Sequence, residues 1–409
     1  MRGLLFMSIR NLILVDPIHR DSLKPLSWAR PVASFRIGIL RIFEKWEFAL
    51  NCKVSFSVPE YLQEKFPLKI EEENILIQAH LLPSSDLAFI ISKLAVGEFL
   101  VHGSQWVAAN LNRDQTENFL TIKDFSAFKK QEVDSFLIRG IYNLWEIFQW
   151  NAVELETDFK QLSNGRKSAA IDSSNRVIGN QIFVEEGAKI SSSILNSTTG
   201  PIYIGRHAEI MEGCMIRGGL ALCDSAQLKM GAKIYGATTI GPGSRIGGEV
   251  NNSVIQGNSN KAHDGFLGNS VLGEWCNIGA DSNNSNLKNN YEAVKLWDYN
   301  AQRFIPTGTI FCGLMMGDHA KCGINTMFNT GTVVGYGANV FGDGFPRQFI
   351  PDFAWGGTAG FSTFQLAKFY QTANAVLQRR ECTFDLQDQS IAEFIFMKTQ
   401  FSRTWEKPS

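Results

Sequence analysis

The chain has 409 residues, more than one ordinary core holds, so two domains are expected. Its composition, 44% hydrophobic and 19% charged, is that of a globular protein, and a formal net charge of -1 gives no electrostatic case for nucleic acid or a membrane surface as partner. Seven cysteines without a C-x-x-C pair or metal-ligand spacing read as free, mostly buried thiols in a reducing cytoplasm.

Met1–Ser8 is apolar but too short for a signal peptide, and it lacks a small-residue cleavage site, so it reads as an extension before the first strand. No run approaches the roughly 18 apolar residues of a membrane span. Asn11–Val15 (NLILV) is a continuous apolar run that stops at Asp16-Pro17, the pattern of a buried strand entering a loop. Ser34 is then expected to cap a helix over Phe35–Leu50, with Ile39, Ile42, Phe43, Trp46 and Leu50 on its apolar face. Val54–Val58 and Asn74–Ala79 read as strands, Glu60–Phe66 and Ser85–Leu94 as helices, and Phe99–Ala109 as a hairpin. Val133–Phe159 carries a long amphipathic pattern, expected to be helical with a break near Gly140. Strands alternating with helices indicate an α/β domain with a mostly parallel sheet, assigned to residues 1–165. A polar stretch, Gln161–Ser174, follows as the linker.

The next segment has a different periodicity. Large apolar residues return every sixth position at Ile204, Ile210, Ile216, Leu222, Leu228, Ile234, Ile240 and Ile246. Four places after each, the residue is usually small, as at Ala208, Cys214, Ala226, Ala232, Thr238 and Ser244, with Leu220 the exception. Six is a multiple of the strand period and not of the helix period, so the pattern predicts a parallel β-helix. The register is lost between Gly247 and Gly265, recovers at Leu267-Gly268, Leu272-Gly273 and Ile278-Gly279, breaks again at Asn283, and returns at Ile310, Met316, Cys322, Phe328, Val334 and Val340. Between the runs, Asn283–Gly308 is long, polar and Asn-rich, and is expected to project as a binding loop. The β-helix is assigned to residues 175–350 and a helical cap to 351–409. In this reading Phe345–Gly357 leaves the solenoid, and helices over Thr363–Leu377 and Ser390–Thr399 cover its open end with Phe364, Leu366, Phe369 and Tyr370.

Six histidines form no metal cluster. His207 and His319 fall at regular outward or corner positions and read as solvated. His263 lies where the repeat lapses, within KAHDGFLG.

The stretch KAHDGFLGNSVLGEWCNIGAD, followed by SNNSNLKNNY, resembles the acetyltransferase region of the bifunctional bacterial UDP-N-acetylglucosamine pyrophosphorylase/glucosamine-1-phosphate N-acetyltransferase family, in an alternative branch of Bacteroidetes type. A weaker resemblance covers DPIHRDSLKPLSWARPVASFRIGILRIFEKWE near the start. It implies a sugar nucleotidyltransferase-like α/β domain, here degenerate, followed by a left-handed parallel β-helix and C-terminal helices. Carried over residue by residue, it makes His263 the catalytic base, Phe266 and Asn277 acceptor contacts, and Ala280 and Asn286 contacts of acetyl-CoA. Phe266 stands where the family has a tyrosine. Asn251 stands where the family has a phosphate-binding lysine, leaving Lys261, Lys288 or Arg245 to supply that charge.

In the first domain the family holds nucleotide phosphates on a Gly-rich loop with an Arg and a Pro-Lys pair. Here Asp16–Arg20 has no glycine, so the backbone lacks a ready phosphate cradle. Arg20, Lys24 and Arg30 remain candidates for the nucleotide phosphates. The metal-binding aspartate of the family is missing, its place taken by Gln78-Ala79-His80-Leu81-Leu82-Pro83, so no metal ligand is assigned and a magnesium requirement stays open. The implied activity is acetyl transfer from acetyl-CoA to an amino-sugar phosphate, glucosamine 1-phosphate first, with uridylyl transfer as the family's second reaction. The implied assembly is a homotrimer with acetyl-CoA between neighbouring solenoids. Two alternatives are a nucleotidyltransferase with a non-catalytic β-helix and a non-catalytic sugar-nucleotide-binding scaffold.

Overall fold

The computed structural model describes residues 11–406, and the extension expected at Met1–Ser8 lies outside them. The chain divides into two compact units. The first comprises the described part of Met1–Arg20, then Arg30–Phe35 and Leu40–Tyr142; the second comprises Asp21–Ala29, Arg36–Ile39 and the chain from Asn143 onward.

The first unit is a six-stranded sheet in the order Val54–Ser57, Leu12–Val15, Glu73–Gln78, Gln105–Asn112, Glu98–His102, Lys129–Glu132. Leu12–Val15 pairs in parallel with both its neighbours, and all four of its residues are buried, which is why its sequence is uniformly apolar. Antiparallel pairing enters with the hairpin Glu98–His102/Gln105–Asn112. Ile13, Leu76, Phe99, Ala109 and Phe119 form the core of this unit. Helix Ser85–Ile91 starts where expected, with Ser84 Oγ accepting from the Leu87 amide. Arg113–Ile122 is an additional helix that periodicity did not reveal, opened by a capping box between Asn112 and Gln115.

Two helical expectations are corrected. The helix expected over Phe35–Leu50 begins only at Ile42. Side chains take the amides just before it: Arg36 N–H donates to Gln256 Oε1, Gly38 N–H to Asn151 Oδ1 and Ile39 N–H to Asp158 Oδ2. In a helix from Phe35 the Ile39 N–H would reach the Phe35 carbonyl; here Asp158 takes it, that carbonyl accepts from Ile42 N–H instead, and Gly38 has a left-handed φ of 76°. The long pattern over Val133–Phe159 is helical only in Glu146–Ser163. Its first part is a 3-10 turn at Ser135–Leu137 and a strand, Arg139–Gly140, paired antiparallel with Leu81–Leu82.

In the second unit, strands from Arg176 to Gly357 stack in parallel into the faces of a β-helix. The eight large residues from Ile204 to Ile246 are buried together, as are their companions Ala208, Cys214, Leu220, Ala226, Ala232, Thr238 and Ser244. Gly241 shows why glycine recurs after the inward residue: a Cβ there would lie 2.1 Å from the Gln256 carbonyl oxygen of the next coil.

The lapse after Gly247 is a change in coil length, not a break in the solenoid. Leu222 pairs with Ile240, eighteen residues on. Ile240 then pairs with Ile255 and Ile246 with Lys261, each fifteen residues on. Shortened corners keep the stack while shifting the sixfold count. Lys261 also hides the pattern, since it occupies an inward position with 1% exposure.

Further differences follow beyond Ile278. Ile310 is 40% exposed and is not part of the inward stack, which resumes at Met316. The expected projecting loop contains its own hairpin, Lys295–Asp298/Arg303–Pro306, with Val294 and Leu296 buried and Trp297 stacked on Phe349 at 4.3 Å. Phe345–Gly357 does not leave the solenoid: Phe349–Ile350 and Ala354–Gly357 continue two of its faces. The antiparallel strand Gly360–Thr363, not a helix, then takes the edge of the second face. Helices Leu366–Gln378 and Leu386–Lys398 follow, with Phe369 packed on Tyr336 and Phe353. His319 is not solvated as expected, but buried among Tyr336, Phe369 and Phe384.

Candidate active site

His263 sits on the corner between strands Asn260–Lys261 and Phe266–Gly268, with its side chain exposed. The corner is anchored from inside the solenoid. Lys261 points inward in register with Ile246, and its Nζ donates to the carbonyl oxygens of Gly247 at 2.9 Å and of His263 at 2.7 Å. Burial pushes this ammonium down to about 8, against the opposing pull of Asp264 and Asp281. A buried lysine in an apolar stack is costly unless its donors find acceptors, and here they hold the backbone of the His263 turn. The next coil packs its own corner beneath it, with Asp281 N–H donating to the Asp264 carbonyl at 3.0 Å. Ala280, adjacent to Asp281, therefore lies on the corner stacked against that of His263.

Phe266 and Asn286 come together on the following face. A Cβ on Gly268 would lie 2.5 Å from Phe266 Cζ and 2.8 Å from Asn286 Nδ2, so glycine lets the ring and the amide share this surface. Asn286 Nδ2 donates to Asn269 Oδ1 at 2.8 Å. The neighbouring asparagines explain part of the Asn-rich sequence: Asn283 Oδ1 accepts from the Phe266 amide at 2.7 Å and Asn284 Oδ1 from the Gly268 amide at 2.9 Å. Asn277 stands on a different face, in register with Asn260 and Lys321.

The cations proposed to replace the missing phosphate lysine at Asn251 do not converge on it. Lys261 is inside the solenoid, Lys288 donates to the Ala293 carbonyl, and Arg245 belongs to the face that carries Asn277. Sequence reasoning missed Lys233. It stands in the same outward row as Phe266, with Glu249 between them. Unequal coil lengths concealed that alignment, and only the strand register exposes it.

In the first unit, Arg20 is buried and committed to its own fold. Its Nε donates to Asp16 Oδ2 at 2.7 Å and its Nη2 to the Arg30 carbonyl at 3.0 Å. Asp16 also accepts from the Val32 amide, and burial raises its carboxyl despite Arg20. Arg30 is buried in the same unit. Lys24 belongs to the second unit, where its Nζ pairs with Asp21 at 2.9 Å and lies 3.7 Å from the centre of the Trp28 ring. His80 lies within residues 78–83, the stretch that takes the place of the family's metal-binding carboxylate. It is buried between the rings of His19 and Tyr142, and burial with the neighbouring His19 holds it well below the usual imidazole range. A neutral imidazole in a closed aromatic box does not fit a magnesium ion, which takes oxygen ligands. Among the described residues no group of three or more His, Cys, Asp or Glu is placed to hold a metal. None of their helices is long and apolar enough to cross a membrane.

Residues 12–167 match the family model of the sugar nucleotidyl transferases, so this stretch carries a domain of that family. The protein is thus a sugar nucleotidyl transferase-type domain joined to a parallel β-helix and C-terminal helices. That combination is consistent with the GlmU-like bifunctional family to which the sequence resemblance points. The bifunctional protein GlmU of Methanocaldococcus jannaschii is 33% identical over 87 residues, 21% of each chain. GlmU of Synechococcus elongatus is 25% identical over 185 residues, 43% of this chain and 36% of the relative. A bifunctional sugar-1-phosphate nucleotidylyltransferase/acetyltransferase of Sulfurisphaera tokodaii is 29% identical over 179 residues, 43% of this chain and 44% of the relative. The chain therefore spans less than half the length of each of these relatives.

Proposed function

We propose that this protein transfers the acetyl group of acetyl-CoA to the amine of an amino-sugar phosphate, with glucosamine 1-phosphate as the leading acceptor and His263 as general base. The observation that carries this reading is the His263 corner: an exposed imidazole on a turn whose carbonyl is fixed from within by Lys261. In the reaction His263 removes a proton from the attacking amine, the new amide C–N bond forms, and the thioester C–S bond breaks. The proton then passes to the departing thiolate. An imidazole suits both transfers because its ordinary pKa lies near neutral pH. Phe266 offers the sugar an apolar wall, and Lys233 is the cation nearest in register for its phosphate. Ala280 and Asn286 stay assigned to the acetyl-CoA arm, and Asn277 to the acceptor.

The test is thiol release from acetyl-CoA with glucosamine 1-phosphate. The natural protein should turn over, and His263→Ala should lower kcat by about 10²- to 10⁴-fold, the usual contribution of a positioned base. No thiol release by the natural protein would remove this acceptor, and an undiminished His263→Ala would remove the base.

A second activity, uridylyl transfer by residues 1–165, is supported by the family match over 12–167. UTP-dependent pyrophosphate release decides it, with residues 175–350 and 351–409 completing the proposed division into β-helix and cap. The cysteines are free thiols, which suits a reducing cytoplasm. The proposed homotrimer is checked by light scattering on the eluting protein.

A further inference from the structure

The β-helix carries a second polar constellation away from His263, sharing with the acetyl-transfer reading only Asn277. On one face, Arg245, Asn260, Asn277 and Lys321 follow one another in register along four strands. The end of helix Leu366–Gln378 and the residues after it return over this row and enclose a cavity of about 300 Å³. Arg245, Lys321, Arg379 and Arg380 all line it, together with Trp275 and Asn277, and no carboxylate does; His263 is not part of its wall. Among the described residues none of the four cations makes an ion pair.

Two of the four cations, Arg380 and Lys321, are fixed in place by hydrogen bonds. Arg380 donates to the Gly243 carbonyl and, from Nη2, to Asn260 Oδ1 at 3.1 Å. Burial, then repulsion from Arg245 and Arg379, pushes its guanidinium below the ordinary range. Lys321 donates to the His319 carbonyl at 2.8 Å, and burial pushes it down to about 8. Fixing like charges in one cavity opposes folding unless an anion relieves them. Trp275 gives the cavity an aromatic side. Its backbone has φ of 61°, the left-handed turn that Asn258 and His319 also make at this corner on the neighbouring coils. Its indole stacks on His319, with ring centres 6.5 Å apart, and forms an aromatic part of the wall.

We infer that this cavity binds a phosphorylated small molecule carrying at least two negative charges, its phosphate groups held by Arg245, Lys321, Arg379 and Arg380 and its remaining part lying along Trp275. Arginine guanidinium groups match phosphate oxygens in bidentate fashion, and the Asn277 amide supplies an uncharged partner. The size is that of the smallest ordinary ligand pockets, which is larger than an inorganic anion alone requires. The inference shares only Asn277 with the acetyl-transfer reading and is tested apart from it, because binding is measured without acetyl-CoA or acceptor.

Calorimetric titration of the full chain at low salt with inorganic pyrophosphate, UDP and uridine tests it. Pyrophosphate and UDP should bind, and uridine should not. Arg379→Glu, at an exposed position, and Arg245→Gln should each weaken binding by about tenfold or more, the worth of a hydrogen bond to a charged group. Circular dichroism on both variants checks that the fold persists. If UDP binds more tightly than pyrophosphate and both weaken in the variants, the occupant is a nucleotide-like ester. Equal affinities that weaken together assign the site to the diphosphate group alone. Absence of binding, or binding that neither substitution alters, overturns the inference.

Discussion

Replacing Lys261 by Met separates what the inward lysine costs the fold from what it contributes to the His263 turn. The ammonium is 1% exposed and in register with Ile246, so the unbranched Met side chain can fill much of the same space. Burial brings the lysine from its ordinary 10.5 down to about 8. A difference of about 2.5 units at roughly 1.4 kcal/mol each corresponds to about 3 kcal/mol. The sign follows from a folded pKa below the unfolded one: this stability is present above about pH 10.5 and is lost as pH falls through about 8. At pH 7 the natural protein therefore lacks the full amount, and Lys261→Met removes the cause. Met also leaves the Gly247 carbonyl without its Nζ donor, costing about 1–3 kcal/mol, while the exposed His263 turn can reach water. The two effects nearly cancel at pH 7, so the variant should lie within about 2 kcal/mol of the natural protein, unlike the larger losses common for core truncations. Between pH 7 and pH 11 the natural protein should gain about 3 kcal/mol relative to the variant. Urea unfolding at a series of pH values measures that gap, and thiol release measures acetyl transfer, whose kcat should fall with the loosened turn. A gap that does not change with pH refutes the buried charge. Unchanged kcat refutes its hold on His263.

Two other substitutions test neighbouring arguments. Asp352 is fully buried, accepts from the Tyr336 amide at 2.7 Å and the Tyr299 hydroxyl at 3.1 Å, and burial pushes its carboxyl up to about 6. The raised value gives stability that is present below about pH 4 and lost as pH rises through about 6, so Asp352→Asn should be more stable than the natural protein at pH 8, by up to about 3 kcal/mol, with the advantage gone by pH 4 in urea unfolding. Gly268→Ala would drive a Cβ into Phe266 and Asn286; KM for the acceptor should rise in the thiol-release assay while far-ultraviolet circular dichroism stays unchanged.

How much of this was legible in the sequence depends on whether a residue's role is periodic or made by contact. Ile204 to Ile246 could be read because each inward side chain meets the same surroundings eighteen residues on, as Leu222 and Ile240 do. Lys261 satisfies the same geometry, yet hydropathy assigns a lysine to the surface and the shortened corners move it off the sixfold count. The helix boundary at Ile42 was hidden for another reason: the partners of Arg36, Gly38 and Ile39 are Gln256, Asn151 and Asp158, more than one hundred residues away. His263 could be singled out only by resemblance, since an exposed imidazole on a corner has no pattern of its own, and His319 shows how a corner histidine can instead be buried. Arg379 and Arg380 carry no sequence signal toward Arg245, 134 and 135 positions earlier; the cavity exists because the chain turns back over a face of its own solenoid. In a stacked fold, then, the scaffold is written in local repetition, whereas the chemistry resides in residues that interrupt it and in segments that return to it, where neighbours are set by register and not by spacing.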